Sequence, residues 1–190
     1  MARFDPAQYA SSVAALLREP RLMPLDRGEP NRTAFDQLRG LDEALLLDGQ
    51  QQARHRELAR ACLAGLWLYH GFLDEAHRIS QSLHGREGSY WHGIMHRREG
   101  DFANAKYWFR RVGRHPIHET LNLSARALAR DAGADPFDRS SSCWNPAAFV
   151  DLCAAGCTEQ NGAADLYQRI QQREWQLLFD YCYRRASGRG

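Results

Sequence analysis

The chain has 190 residues, enough for one folded domain with a hydrophobic core. Its apolar fraction of 44% and its five tryptophans exclude a disordered protein. The length predicts a single domain over residues 1–190. The formal net charge of +2 is too small for the whole molecule to attract nucleic acid or a membrane surface, so we do not expect it to bind nucleic acid.

Apolar residues recur at helical spacing along most of the chain, and no run alternates as a β-strand would. The predicted fold is therefore all-α. A first helix is expected over residues 5–18, followed by a loop rich in proline and glycine. Thr33 is predicted to cap a second helix, which stops at Asp48-Gly49.

The middle of the chain is expected to form two helix hairpins. The first joins a strongly apolar helix at residues 55–69 to a helix at 72–83. The second joins residues 89–98 to 101–112, with a break at Gly100 and with Asp101 capping the second helix.

Three more helices are predicted in the C-terminal third, at residues 117–131, 146–155 and 163–185. Pro146 suits the first turn of the middle one. The serine run at 140–142 is predicted to be an exposed loop.

The termini and the cysteines predict a cytoplasmic protein. The start of the chain has no apolar core of signal-peptide length, and no later stretch is long enough to span a membrane. Five scattered cysteines are typical of reduced thiols. Cys153 and Cys157 lie four residues apart, but no second ligand pair lies near them in the sequence, so buried thiols are favoured over a zinc site.

Residues 55–116 contain a pattern that repeats with a constant offset of 29 residues. The two copies are Leu63-Ala64-x-x-Trp67…Gly71…Ala76 and His92-Gly93-x-x-His96…Gly100…Ala105. The pattern resembles the tetratricopeptide repeat, in which small residues let paired helices approach. The copies are shorter than that repeat, Ser89 stands where it has tryptophan, and His92 and His96 replace its leucine and tyrosine.

The tetratricopeptide resemblance implies a short stack of hairpins with capping helices in residues 1–50 and 117–185. Because short stacks with exposed ends often associate, it is also compatible with a homodimer. Residues 89–111, SYWHGIMHRREGDFANAKYWFRR, together with 144–153, are similar to segments of a group of uncharacterised proteins. That second resemblance implies one structural unit and no mechanism.

The dense segment at 89–111 first predicts a binding module. Its cations and aromatic rings would hold a small anion or an acidic or C-terminal peptide, because guanidinium offers a bidentate donor fork and rings offer flat apolar walls. The predicted ligand contacts are Tyr90, Arg97, Arg98, Asn104, Lys106, Trp108 and Arg110. Glu99 and Asp101 would orient the arginines. The alternative is that these charges form a solvated helix end.

The same segment also predicts a metal-dependent enzyme, of a hydrolytic kind. His92 and His96 have the i,i+4 spacing of a helical zinc site, and a divalent metal is the one cofactor the sequence points to. The predicted ligands are His92 and His96, and His77, Glu75 or Asp74 of the preceding helix would provide the third. Gly93 stands where the zincin motif has its catalytic glutamate, which disfavours ordinary metalloprotease chemistry.

Two further interpretations of the histidines stay open. The favoured one is that His92 and His96 are buried, neutral and hydrogen-bonded to carboxylates such as Asp101, Glu75 or Asp74. The other is a metal-free hydrolase or transferase. Its nucleophile would be Ser89, three residues before His92, or Ser80 or Ser82, which follow His77.

Overall fold

The computed structural model describes residues 4–47, 56–137, 143–158 and 163–189. These residues contain helices packed on helices and no strand, which confirms the all-α prediction. The predicted helix stop at Asp48-Gly49, the first residue of the helix expected at 55, and the serine run at 140–142 lie outside the described residues.

The N-terminal segment forms two short helices where the sequence predicts one. A 3-10 helix at Pro6–Gln8 is capped by Asp5, and α1 follows at Ser11–Leu16. The break lies at Tyr9, whose ring packs edge-on against an aromatic ring of the C-terminal helix, Phe179. Tertiary packing of one aromatic side chain therefore overrides the local helical pattern.

The second predicted helix is also divided. A 3-10 turn at Arg32–Ala34 leads into α2, Phe35–Arg39, and α3 follows at Glu43–Leu46. Thr33 lies inside the turn and caps nothing, so that prediction is wrong. The chain restarts at Asp42, whose carboxylate accepts the Leu45 backbone N–H at 2.8 Å.

The two central hairpins are present. They comprise α4 (Arg56–Tyr69) with α5 (Leu73–Ser80), and α6 (Arg86–Glu99) with α7 (Phe102–Val112). Gly100 makes the second turn with a left-handed φ of 83°, and the Asp101 carboxylate accepts the Asn104 backbone N–H at 3.1 Å. This cap is as predicted. The tetratricopeptide-like stacking of the hairpins stays a prediction.

The C-terminal helices enclose the hairpins. They are α8 (Ile117–Asp131), α9 (Pro146–Thr158) and α10 (Ala163–Ala186). The long α10 packs against α4, α8 and α9. Its Trp175 is fully buried and donates its indole N–H to the Gly65 carbonyl of α4 at 2.8 Å. A helix late in the chain thus covers the faces of helices that come much earlier.

Among the described helices, none combines the length and the apolar character that a bilayer span requires.

Candidate metal site

The arginines of the predicted ligand groove lie inside the protein. Arg97 and Arg98 expose 0% and 1% of their surface, and Tyr90 exposes 0%. The prediction that these three side chains line an accessible groove is therefore wrong.

Arg97 is held by α10. Its Nη2 lies 2.6 Å from Glu174 Oε2, and its Nε and Nη2 donate to Gln171 Oε1. The Tyr90 hydroxyl donates to the other Glu174 oxygen at 3.0 Å. The guanidinium also lies 4.8 Å from the ring centroid of Phe149. Glu174 therefore neutralises the buried charge of Arg97. Nη1 has no hydrogen-bond partner among the described residues, but the side chain is fully buried and is not accessible to an external ligand carboxylate.

Arg98 stabilises backbone instead of binding a ligand. It donates to the carbonyls of Leu68 (2.7 Å), Asp26 (3.2 Å) and Arg27 (3.1 Å). The Leu68 carbonyl belongs to the last turn of α4 and also accepts the Gly71 backbone N–H at 3.1 Å. Burial lowers the pKa of Arg98 to about 10. This side chain therefore ties the loop after α1 to the end of α4.

The other predicted contacts separate into different places. Lys106 pairs with Asp151 of α9, and Arg110 is exposed. Asn104 and Trp108 instead contact the histidines, as described below. The two predicted orienting carboxylates do not reach Arg97 or Arg98: Asp101 caps α7, and Glu99 lies 2.8 Å from an Arg27 nitrogen.

The histidines of α5 and α6 do converge. One potential ligand atom from each of His77, His92 and His96 lies within 4.8 Å of the other two. The ring centroids of His92 and His96 are 4.7 Å apart with nearly parallel planes, as the i,i+4 spacing on one helix face requires. His77 reaches them from α5, with ring centroids 4.7 Å from His92 and 5.2 Å from His96.

His92 is the most unusual member of this three-histidine cluster. It exposes 3% of its surface, and neither ring nitrogen has a hydrogen-bond partner among the described residues. Its ring stacks on Trp108 with centroids 4.0 Å apart. Burial, and then the neighbouring His96 and His77, lower the pKa of His92 to about 3. The imidazole is therefore neutral near pH 7, with a lone pair that nothing in the described protein uses.

His96 has partners on both sides of its ring. Its Nε2 lies 3.1 Å from the Asn104 side-chain nitrogen. Its Nδ1 lies 3.2 Å from Glu99 Oε2, close enough for a charge interaction although not aligned as a hydrogen bond. Because the amide nitrogen of Asn104 donates and cannot accept, Nε2 of the neutral ring carries the lone pair and Nδ1 carries the proton. Burial lowers the pKa of His96, so this ring also favours its neutral form.

The carboxylates expected near the histidines do not act as predicted. Asp74 pairs with Arg27, and Glu75 is not among the groups that converge with the histidines. The favoured interpretation is right that His92 and His96 are buried, but wrong that carboxylates such as Asp101, Glu75 or Asp74 satisfy His92.

The serines do not form a nucleophile–base pair with these histidines. The hydroxyls of Ser80, Ser82 and Ser89 donate to the backbone carbonyls of His77, Ile79 and Gly85. This arrangement does not support the metal-free hydrolase or transferase.

The side chains that hold Arg97 were not predicted from the sequence. Glu174 and Gln171, which hold Arg97, lie more than seventy residues beyond it in the chain. Nothing local to residues 89–111 signals them, because contact between distant helices depends on the whole fold.

Comparison with protein-family models, with curated protein sequences and with solved structures finds no match for this chain.

Proposed function

We propose that the protein binds one divalent transition-metal ion, of the Zn²⁺ class, through His77, His92 and His96. The observation that carries the proposal is the buried, neutral His92. Its two ring nitrogens have no hydrogen-bond partner in the described part of the chain, although two other histidines lie beside it. Imidazole nitrogen is the preferred donor for zinc, copper and nickel, and it is a poor donor for magnesium or calcium.

An energetic argument supports the same proposal. A buried polar group without a hydrogen bond costs about 1–3 kcal/mol, and the His92 side chain has two such nitrogens. A metal ion bound by one of them would offset that cost.

The distances require a modest adjustment on binding. With zinc–nitrogen bonds of about 2.0–2.1 Å, tetrahedral geometry sets ligand nitrogens about 3.4 Å apart. The observed separations extend to 4.8 Å, so side chains would move by roughly 1–1.5 Å. His77 is only half-buried and has room to make most of that movement.

The surroundings of His96 fit a metal ligand. A ligating imidazole commonly donates its second N–H to a carboxylate, which fixes the tautomer and raises the basicity of the ligand nitrogen. Glu99 stands beside Nδ1 in that position. The Nε2 lone pair, which now accepts from Asn104, would bind the metal, and the Asn104 amide would give way.

Metal-assisted hydrolysis is the second candidate function. It is favoured by the number of ligands, because three protein donors leave a fourth position for water, whereas structural zinc sites have four protein ligands. A bound water would be acidified by the metal and become a nucleophile near neutral pH. Ester hydrolysis that appears with Zn²⁺ and disappears in His77→Ala would support this candidate, and zinc binding without hydrolysis would reject it.

Tryptophan fluorescence tests the binding proposal. Trp108 stacks on His92, so Ni²⁺ or Cu²⁺ bound by this histidine should quench the Trp108 emission. We expect saturable quenching at one equivalent in the metal-stripped protein, competition by Zn²⁺, and little quenching in Trp108→Phe. His77→Ala removes a half-buried ligand and should weaken metal binding at least about tenfold. Even the loss of a residue that only supports a ligand commonly lowers metal affinity by about 10–100-fold.

His84→Ala is the matched control because His84 is exposed and lies outside the cluster. Its quenching curve should equal that of the unaltered protein. Equal metal affinity in His77→Ala and His84→Ala would contradict the proposed ligand set.

A further inference from the structure

Glu99, the carboxylate beside the proposed ligand His96, is itself held by an arginine from a distant segment. Arg27 lies in the loop after α1, and its Nη2 donates to Glu99 Oε1 at 2.8 Å. The other carboxylate oxygen, Oε2, lies 3.2 Å from His96 Nδ1. One carboxylate therefore connects the arginine to the histidine ring, with a different oxygen on each side.

Glu99 needs a cationic partner to keep this position. It is the last residue of α6, at the negative end of the helix dipole, where a carboxylate is disfavoured. Its side chain is 20% exposed, so an unheld carboxylate could turn towards water and away from His96. Among the described residues, no arginine or lysine other than Arg27 pairs with Glu99. The Arg27 guanidinium thus supplies the counter-charge that keeps the carboxylate beside the ring.

The backbone around Arg27 is fixed independently of its side chain. The buried Arg98 guanidinium donates to the carbonyls of Asp26 and Arg27 at 3.2 and 3.1 Å. Farther along the loop, the Asn31 backbone N–H donates to the His70 carbonyl, just after α4, at 2.8 Å. Replacement of the exposed Arg27 side chain should therefore leave the loop in place, so an effect on the metal site can be separated from an effect on folding.

The second arm of the same guanidinium leads away from the histidines. Arg27 Nη1 donates to Asp74 Oδ1 at 3.2 Å. The Asp74 side chain is 80% exposed, and its carboxylate is not among the groups that converge with the histidines. Arg27 thus makes one contact that reaches a proposed metal ligand and one that does not, and the second serves as an internal control.

We infer that Arg27 is a positioning residue of the metal site, acting through Glu99 on His96. The inference rests on the proposed three-histidine site and adds a residue that binds no metal itself. A carboxylate held beside Nδ1–H fixes the tautomer of the ring and makes Nε2 a better donor to the ion. The loop after α1 thereby raises the metal affinity although it contributes no ligand.

Positioning and simple charge predict opposite effects of removing Arg27. A nearby cation repels a metal ion, so loss of the Arg27 charge alone would strengthen Zn²⁺ binding slightly. Loss of the Glu99 orientation weakens it, and we expect Arg27→Gln to bind Zn²⁺ at least about threefold more weakly. Arg27→Lys keeps the charge without the two-armed fork and should recover part of the affinity.

Calorimetric titration of the metal-stripped protein with Zn²⁺ measures these effects. Arg32→Gln, which replaces an exposed arginine of the same segment, should bind like the unaltered protein. Asp74→Asn removes only the other arm and should change the affinity by less than about twofold. Glu99→Gln should weaken binding about tenfold, and adding Arg27→Gln to it should weaken binding no further, because the arginine acts through this carboxylate.

The outcomes separate the inference from the proposed function. Zn²⁺ binding by the unaltered protein with equal or tighter binding by Arg27→Gln than by Arg32→Gln would overturn the inference and leave the three-histidine site intact. A further loss of affinity on adding Arg27→Gln to Glu99→Gln would do the same. Absence of Zn²⁺ binding by the unaltered protein would overturn the site itself, and the inference with it.

Urea unfolding of the metal-stripped variants excludes a purely structural effect. The midpoint of Arg27→Gln should match that of Arg32→Gln, because buried Arg98 holds the loop backbone in both. A lower midpoint in Arg27→Gln, large enough to account for its weaker binding, would assign the arginine a role in folding and overturn the inference.

Discussion

Acidification should destabilise the metal-free protein in part through His92. The pKa of this residue is about 3 in the folded state, against 6.5 for an ordinary histidine. Between these values the unfolded chain binds a proton that the folded protein does not, so the free energy of unfolding falls as the pH falls below 6.5. The His92 contribution to stability is constant above that pH.

The magnitude follows from the two pKa values. At pH 5 an unfolded imidazole is almost fully protonated while folded His92 is not. The free energy of unfolding is therefore about 2 kcal/mol lower at pH 5 than above pH 6.5 through this residue alone. Because His92 exposes only 3% of its surface, solvent screening does not greatly reduce this figure. A loss of this size is a large part of the stability of a domain of this size.

Urea unfolding of metal-stripped protein at several pH values between 8 and 5 measures the effect. His92→Gln should lose about 2 kcal/mol less than the unaltered protein over this interval, since a carboxamide does not titrate. His84→Gln, which replaces an exposed histidine, controls for the loss of an imidazole as such. If the His92→Gln and unaltered curves run parallel, His92 is not a buried neutral base and the reasoning fails.

Three substitutions test the contacts around the cluster and the buried arginines. Glu174→Gln leaves the buried Arg97 charge without its counter-charge, so thermal or urea unfolding should show a loss of about 3–5 kcal/mol, and a loss below about 1 kcal/mol would contradict the buried pair. Arg98→Met keeps an apolar stem but removes three hydrogen bonds to carbonyls, so it should lower the free energy of unfolding by about 3 kcal/mol. Unchanged stability would mean that Arg98 is exposed. Asn104→Ala frees the Nε2 lone pair of His96 and should raise Zn²⁺ affinity severalfold in a calorimetric titration, whereas weaker binding would show that Asn104 supports the metal.

Local patterns were sufficient for the helices of the central and C-terminal parts. The bounds of α8 agree with the sequence prediction, and Asp101 caps α7 as its spacing indicates. In these segments helical periodicity, glycine turns and capping side chains all favour the same structure. The N-terminal segment differs because long-range contacts, such as that of Tyr9 with the C-terminal helix, interrupt a pattern that reads locally as one helix.

The candidate site was predictable only in part, for a related reason. The i,i+4 spacing of His92 and His96 places both rings on one face of α6, and the hairpin arrangement brings His77 to them. The functions of Arg97 and Arg98 depend on α10 and on the loop after α1, which no short-range pattern connects to residues 89–111. Side chains that can bind a ligand through charge can also satisfy distant buried groups, and only the fold distinguishes the two.

The metal content of protein purified without a histidine tag tests the central proposal most directly. Elemental mass spectrometry should find close to one equivalent of zinc or a related transition metal, either as purified or after loading and desalting. The folded His92→Ala/His96→Ala double variant, checked by its circular dichroism, should retain none. Absence of metal from the unaltered protein even after loading, or equal retention by the double variant, would contradict the three-histidine site.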